Sequence, residues 1–280
     1  TAQDMPVLHQ VFLKAFADYL VPIQLDAEQF QAKLRREGIE PEFCVAAYES
    51  GQMVGFILTG LGEWQGRPTA YNAGTGVVPA HRGQKLTQQL YSFLMPKLLE
   101  SGVENCLLEV IQENEPALKS YKSIGMQVTR SLDCFRVRKE ELLLPAESPA
   151  NISITRTTRP DWQAYQHFWD IQPTWQNAVQ SVKRSMSDNA ILEARDPEKR
   201  LVGYVVFYPK NGAIAQLAVA KDSRGNGVGS ALLREAVAEA QAPALMCINI
   251  DTTGTEVIAY LKSRYFKRVL GQYEMQMSVV

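Results

Sequence analysis

Apolar and polar positions follow a similar order of patterns twice along the chain. Alternation predicts strands, whereas three- and four-residue spacing of apolar positions predicts helices. In the second half, strands are predicted at 153–158, 190–194, 201–209, 213–220, 244–250 and 272–280, and helices at 161–172, 175–186, after the loop beginning at residue 224, and at 255–265. In the first half, two helical stretches reach about residue 37 and strands follow at 42–49, 53–60, 69–78, 105–111 and 133–138, with a helix after the loop near residue 82 and another from residue 115. This order predicts an α+β fold.

An internal repeat relates the two halves. The segment VVPAHRGQKLTQQLYSFL from Val77 aligns with VAKDSRGNGVGSALLREAV from Val219, which places Arg82 on Arg224 at an offset of 142 residues. Further on, the Lys-Ser pair that begins at Lys122 aligns with the one at Lys262, at an offset of 140 residues. Two short matches at nearly the same offset indicate a duplication.

The two copies are predicted to be separate domains joined by a short connector. RKEELLLPAESPA combines charges, a leucine run and two prolines, which is typical of a linker. We predict an N-terminal domain at 1–138, a linker at 139–150 and a C-terminal domain at 151–280. The strand that opens the second copy has no counterpart in the first, and we expect that strand of the N-terminal domain to be absent from this sequence.

Composition narrows the classes of function. The 280 residues carry a net charge of -1 with 46% hydrophobic residues, so bulk charge disfavours nucleic acid and anionic membrane as partners. No apolar run approaches the roughly 20 residues of a membrane span, and a cytoplasmic location is expected. The four cysteines are far apart and the three histidines lie in different segments, so no metal site is expected.

The glycine-rich loop RGNGVG at 224–229 follows a strand and opens a helix. Glycines allow close backbone approach, and free amides at a helix N-terminus attract anions, so this loop can bind a phosphate. A P-loop would require lysine after the last glycine, where Ser230 stands. A dinucleotide-binding fingerprint would also need a glycine at 230, although Asp251 lies where its ribose-binding acid would be. A glycine-rich turn without a ligand is the remaining alternative, and the second copy of the loop disfavours it.

These residues resemble the GNAT superfamily of N-acetyltransferases, whose loop has Arg or Gln, two residues, Gly, one residue, and Gly or Ala. Arg224, Gly227 and Gly229 match that pattern, whereas in the first copy only Arg82 matches and Lys85 and Thr87 replace the glycines. The resemblance implies two tandem domains, each with a mixed, mostly antiparallel sheet flanked by helices. It also implies acetyl-CoA as cosubstrate, without a metal, bound by the glycine loops and by the backbone of the preceding strands. The implied cofactor-binding residues are Val77, Val78, Arg82, Gly83, Gln84, Lys85, Leu86, Thr87, Asn114, Leu217, Ala218, Val219, Arg224, Gly225, Asn226, Gly227, Val228 and Gly229.

A second family motif occurs only in the first copy. NEPALKSYKSIGM supplies Asn114 and, seven residues later, Tyr121, and the resemblance implies that Asn114 binds the pantetheine while Tyr121 is the general acid near the sulfur. The second copy has Gly254 and Leu261 at these positions. Glu109 interrupts the apolar strand LLEVI and is a candidate general base; a structural role for this carboxylate is the alternative.

The expected function is therefore transfer of acetyl from acetyl-CoA to a primary amine of a small molecule or peptide, by direct attack, in a monomer or homodimer. Two alternatives stay open. The C-terminal copy could be the active one because its glycine loop is intact, or the protein could be a non-catalytic acyl-CoA-binding sensor.

Overall fold

A computed structural model describes residues 4–145 and 151–279. The helices are α1 (Met5–Ala15), α2 (Ala27–Glu37), α3 (Leu86–Glu100), α4 (Glu115–Ser123), α5 (Trp162–Gln166), α6 (Val179–Arg184), α7 (Val228–Glu239) and α8 (Thr255–Ser263). The strands are β1 (Val45–Glu49), β2 (Gln52–Trp64), β3 (Arg67–Val77), β4 (Asn105–Ile111), β5 (Gln127–Arg138), β6 (Ser153–Arg156), β7 (Ala190–Arg195), β8 (Leu201–Tyr208), β9 (Ala213–Val219), β10 (Ala244–Asp251) and β11 (Lys267–Ser278). Within the described ranges, no helix has both the length and the apolar character of a membrane span.

The chain forms two compact units. The N-terminal unit comprises the residues up to Arg130 and those from Gln272 onward, and the C-terminal unit comprises Ser131–Gly271. In the N-terminal unit the strand order is β1-β2-β3-β4-β11, and only the β3–β4 pair is parallel among its described strands. In the C-terminal unit the order is β5-β10-β9-β8-β7-β6, and the described parallel pair is β10–β9. The α+β fold with mixed, mostly antiparallel sheets is thus confirmed.

Each sheet is covered by helices on both faces. In the N-terminal unit, α1 and α2 pack their apolar residues on one face around Phe56 and Leu58, and α3 and α4 cover the other face around Leu108 and Val110. In the C-terminal unit, α7 and α8 pack around Val205 and Phe207, while Tyr165 and Val182 from α5 and α6 pack on the other face. Alternation along the strands explains why each sheet has two apolar faces to bury.

The strands predicted at 133–138 and 272–280 are present within β5 and β11, but neither belongs to the compact unit of its own sequence half. Gln272–Ser278 of β11 pairs antiparallel with β4 inside the N-terminal unit, and the later part of β5 pairs with β10 inside the C-terminal unit. The two segments are therefore exchanged between the compact units. Both carry alternating apolar residues, so the pattern alone could not assign their neighbours. The linker proposed at 139–150 stays a prediction, and its part at 146–150 lies outside the described residues.

The helices before β7 are shorter than their sequence pattern indicated. α5 ends at Gln166 instead of extending to residue 172, and a single 3-10 turn, Trp175–Asn177, precedes α6. Pro173 lacks a backbone N–H and disfavours a helical conformation of the residue before it, which explains a break between the two helices. The chain between α5 and α6 is consequently irregular, and it contributes several side chains to the site described below.

Candidate active site

The parallel strands of each unit separate toward their C-terminal ends. In the N-terminal unit, the β3–β4 pairing extends from Thr69 with Asn105 only to Tyr71 with Leu107. In the C-terminal unit, the β9–β10 pairing consists of Ala213 with Met246. Beyond these pairs each unit has an opening between two strands of its sheet. The predicted pantetheine-binding segments at 77–78 and 217–219 lie on this diverging side.

A β-bulge accompanies the separation in both copies. Register shifts opposite Leu58 and Val206 leave Ala73 of β3 and Ala215 of β9 without a residue opposite them in β2 and β8. A bulge bends its strand and increases the local twist, which turns the end of β3 and of β9 away from the next strand. The two bulges occupy equivalent positions of the repeat; Gly74 directly follows the first, whereas no glycine or proline adjoins the second.

Both predicted phosphate loops open onto a long helix through a left-handed residue. Gly83 and Gly225 have φ of 79° and 77°, and the N-cap residues Lys85 and Gly227 have φ of 58° and 81°. Neither N-cap makes a side-chain hydrogen bond to its helix, so the first-turn amides of α3 and α7 receive no capping side chain. Amides of this kind, together with the helix dipole, favour an anion.

Each loop arginine donates a hydrogen bond to the end of the strand that precedes its loop. Arg82 donates to the Val77 carbonyl at 3.2 Å and forms an ion pair with Asp18, while Arg224 donates to the Val219 carbonyl at 3.1 Å and pairs with Asp170 and Glu256. The hydrogen bond from Arg82 lowers the pKa of Asp18. Because both guanidinium groups are matched by carboxylates, the attraction for an anion arises mainly from the amides of the loop.

The C-terminal unit contains a cavity of about 430 Å³ beside its loop. It is lined by all the predicted cofactor-binding residues of this copy except Asn226, and by Asn249 and Ile250 of β10. This volume falls within the usual range of roughly 300 to 1,000 Å³ for small-molecule sites. The lining is mostly apolar, and two shielded polar atoms beside the loop, Tyr260 Oη and Arg264 Nε, make no hydrogen bond within the described residues. A phosphate-bearing ligand with an extended apolar arm fits these residues.

The inner wall of this cavity is a neutral, hydrogen-bonded cluster. Trp169 Nε1 donates to Tyr204 Oη at 2.6 Å, and Tyr204 Oη donates to Gln216 Oε1 at 2.8 Å. Gln216 Nε2 in turn donates to the Asn177 carbonyl at 2.6 Å, and Tyr165 stacks on Tyr204 with ring centroids 3.8 Å apart. Trp169 therefore lines the cavity and also donates a hydrogen bond to its inner wall.

The predicted general acid of the N-terminal unit is buried on the α3–α4 face of the sheet. Tyr121 packs in the same cluster as Leu108 and Val110, and its ring meets that of Tyr91 edge-on at 6.4 Å. Burial raises the pKa of Tyr121, and the nearby Thr75 and Asn72 side chains oppose this shift. The hydroxyl consequently stays protonated at neutral pH. Thr75 and Asn72, on the diverging part of β3, were not anticipated from the sequence.

Glu109 lies on the opposite face of β4 from this cluster, since alternation separates it from Leu108 and Val110. Tyr71 donates a hydrogen bond of 2.5 Å to Glu109 Oε2, whereas Oε1 is shielded from solvent and has no partner in the described part of the chain. Burial raises the pKa of Glu109 to about 8, and the bond from Tyr71 opposes the rise. A carboxyl group with this pKa can accept a proton near neutral pH.

Asn114 caps α4 by accepting from the Ala117 amide at 3.2 Å. The Asn114 side chain also lies near the Tyr19 hydroxyl; burial raises the pKa of Tyr19, and Asn114 opposes this rise. Two residues after α1 therefore contact predicted cofactor-binding residues of the N-terminal unit. Asp18 contacts Arg82, and Tyr19 contacts Asn114. In the C-terminal unit, Gly254 provides no side-chain cap, and Leu261 is buried in the core at the position of Tyr121.

The two units repeat one α+β fold, and each has a loop that opens a helix beside two parallel strands that separate. The profile of the Acetyltransferase (GNAT) family matches residues 8–126 and 155–264, and the chain belongs to this family and is an acyltransferase enzyme.

Two curated relatives are similar to parts of the chain. It is 26% identical over 133 residues to an N-alpha-acetyltransferase MAK3 of Arabidopsis thaliana, covering 45% of this chain and 68% of that protein. It is 30% identical over 125 residues to a mycothiol acetyltransferase of Thermobifida fusca (strain YX), covering 42% of this chain and only 39% of that protein.

Solved structures share the fold over the whole chain. A tandem GNAT protein from the clavulanic acid biosynthesis pathway superposes with a TM-score of 0.71 at 16% identity, covering 99% of this chain and 96% of that one. A GCN5-related N-acetyltransferase from Sphaerobacter thermophilus gives a TM-score of 0.75 at 16% identity, with coverages of 100% and 94%. At these identities the likeness concerns the fold. The tandem arrangement expected from the repeat is confirmed by the two regions of the family match.

Proposed function

We propose that the protein transfers acetyl from acetyl-CoA to a primary amine of a small molecule or peptide, and that the C-terminal cavity binds acetyl-CoA. The observation that carries the proposal is the cavity itself, which joins the uncapped amides of α7 to the opening between β9 and β10. The loop residues from Arg224 to Gly229 would hold the phosphates. Leu217, Ala218 and Val219 would bind the pantetheine through their backbone.

The chemical step is proposed for the N-terminal unit, because its acid and base stand on opposite faces of the diverging strands. When bound, acetyl-CoA supplies an acetyl group activated as a thioester. Glu109, once deprotonated, accepts a proton from the amine, and Tyr121 donates its hydroxyl proton to the leaving thiolate. Val77, Val78, Asn114 and the loop from Arg82 to Thr87 would hold the cosubstrate in this unit. The raised pKa of Glu109 makes it a stronger base, and the raised pKa of Tyr121 keeps its hydroxyl protonated before the thiolate leaves.

A second candidate places the transfer in the C-terminal cavity, which is larger than the cavity of about 10 Å³ beside Asn72 and Tyr91. Leu261 and Asn249 stand there in place of Tyr121 and Glu109, so direct attack would proceed without this acid and base. If the C-terminal cavity binds acyl-CoA and neither unit transfers the acetyl group, the protein is a non-catalytic acyl-CoA sensor.

Matched substitutions in the first turns of α3 and α7 test the roles of the two units separately. Thr87 and Gly229 occupy equivalent positions, and a Cβ at Gly229 would lie 3.4 Å from the Tyr260 hydroxyl, in ordinary contact. We expect Gly229→Leu to abolish acetyl-CoA binding at the cavity by covering the loop, as measured by calorimetric stoichiometry. Thr87→Leu should abolish release of CoA with a panel of amines but retain the cavity site.

Tyr121→Phe is the chemical control for the same assay. Loss of the hydroxyl proton donor should lower kcat by roughly 10²- to 10⁴-fold while leaving binding at the cavity intact. Full activity of Tyr121→Phe together with an inactive Gly229→Leu would move the transfer to the C-terminal unit. Absence of both binding and CoA release in the parent protein would refute the proposed function.

A further inference from the structure

The C-terminal cavity contains a cation that none of the neighbouring carboxylates neutralises. Four charged side chains line it, namely Asp170, Arg224, Glu256 and Arg264. Both carboxylates pair with Arg224 at 2.9 Å, and within the described ranges Arg264 forms no ion pair. Its Nε is shielded from solvent and has no hydrogen-bond partner there. A shielded donor without a partner is unfavourable, and more so when it is charged.

Tyr260 presents a second shielded donor beside the first. The Arg264 guanidinium lies over the Tyr260 ring, 5.3 Å from its centroid, which orients the planar cation. The Tyr260 hydroxyl lies near Ser230 and Arg264, yet no group of residues 4–145 and 151–279 meets it with the geometry of a hydrogen bond. This hydroxyl also faces Gly229, in the first turn of α7.

Tyr260 of α8, Arg264 directly after α8 and the amides of α7 therefore line the same cavity. Their common ligand must be an anion that accepts several hydrogen bonds at once, and a phosphate group has this chemistry. We propose that Tyr260 and Arg264 form a phosphate clamp in the C-terminal unit, which binds a phosphate of the acyl-CoA in addition to the amides of the glycine loop. This assignment rests on the proposed function of the cavity.

The clamp is specific to the C-terminal copy. Through the repeat, Tyr260 and Arg264 correspond to Ser120 and Ile124 of α4, and Ile124 packs against the apolar core of the N-terminal unit. The C-terminal copy lacks the capping asparagine and has Gly254 in its place. The two copies would thus contact their ligands through different positions in and beside the equivalent helices α4 and α8.

Calorimetric binding of acetyl-CoA and of 3′-dephospho-acetyl-CoA tests the clamp. The full chain carries Thr87→Leu in all measurements, so that only binding at the C-terminal cavity is measured. We expect Arg264→Gln to weaken acetyl-CoA binding by roughly tenfold to a hundredfold, from the loss of charge-assisted hydrogen bonds. Tyr260→Phe should weaken it by about two- to tenfold. Lys262→Gln is the matched control, since it removes an exposed positive charge from the same helix and should leave the affinity unchanged.

The two ligands identify the phosphate. If the clamp holds the ribose 3′-phosphate, Arg264→Gln and its parent will bind the dephospho form equally; if it holds the diphosphate, the loss will be the same for both ligands. Equal affinity of Arg264→Gln and its parent for both ligands, with circular dichroism showing a folded variant, overturns the clamp alone. Failure of the parent cavity to bind either ligand overturns the proposed function as well.

Discussion

The carboxyl group of Glu109 shows how one polar residue in an apolar strand acquires a functional pKa. Its neighbours on β4 are apolar, and among the described residues its hydrogen bond comes from the neutral hydroxyl of Tyr71. Burial penalises the charged form, and a neutral donor compensates this penalty only in part. Arg130, the nearby cation on this unit, pairs with Glu274 instead. With a pKa of about 8, part of the Glu109 carboxyl group is deprotonated near neutral pH and can accept a proton from an amine.

Glu109→Gln is expected to remove the acidic limb of the pH profile. As a base, Glu109 works only when deprotonated, so kcat/KM of the parent should rise with pH up to about 8 and then level off. The variant should have a lower kcat/KM, by roughly 10²-fold or more, without this limb. Initial rates between about pH 6 and 9 measure both quantities. An unchanged limb in the variant would assign a purely structural role to Glu109.

Stability provides an independent readout for the same residue. The pKa of Glu109 is raised in the folded state, so its contribution to stability is present below the unfolded value near 4.5 and is lost as the pH rises through about 8. The thermal midpoint of Glu109→Gln minus that of the parent should thus increase as the pH rises from about 5 to 9. Parallel pH curves for the two proteins would contradict the raised pKa.

At the scale of the element, the loop–helix junction explains why the copies differ in their glycines. The helix start requires a left-handed residue in both units, supplied by Gly227 in one and by Lys85 in the other. A side chain with a Cβ costs roughly 1 kcal/mol in this conformation. The retention of the same backbone at Lys85 indicates that the loop geometry, with its uncapped amides, persists despite the loss of the family glycine.

Lys85→Gly should relieve this strain and stabilise the N-terminal unit by up to about 1 kcal/mol, reduced by the greater entropy of glycine in the unfolded chain. Gly227→Ala is the converse variant and should destabilise the C-terminal unit by about the same amount. Urea denaturation of both variants measures these differences. Destabilisation by Lys85→Gly would indicate that the lysine side chain contributes more than its backbone strain costs.

At the scale of the whole molecule, the compact units do not coincide with the sequence halves. Met275, near the end of the chain, is fully buried in the core of the N-terminal unit, whereas Phe135, from the first half, is fully buried in the core of the C-terminal unit. Each unit therefore depends on a strand that the other half of the sequence supplies. The core of the N-terminal unit consequently includes side chains from β11.

Paired core substitutions test the exchange of strands. Met275→Ala should destabilise the protein by about 2 to 5 kcal/mol and raise amide hydrogen exchange chiefly in the N-terminal unit, including β4. Phe135→Ala should cost about 3 to 5 kcal/mol and raise exchange chiefly around β10 in the C-terminal unit. Mass spectrometry of peptic fragments distinguishes the two patterns. The opposite assignment of the patterns would show that each half keeps its own closing strand.

The sequence by itself determined the family, the α+β order, the duplication and the positions of the two loops, because these depend on local periodicity and on residues close together in the chain. Arg224, Gly227 and Gly229 identify the loop within six residues, and Asn114 and Tyr121 mark one helix. Only the tertiary structure decided which strand closes which sheet, where Ala73 and Ala215 bulge, and that a cavity opens beside α7. Strand partners, burial and the pairing of Arg82 and Arg224 with carboxylates arise between residues distant in sequence, and alternation constrains only which face a residue occupies.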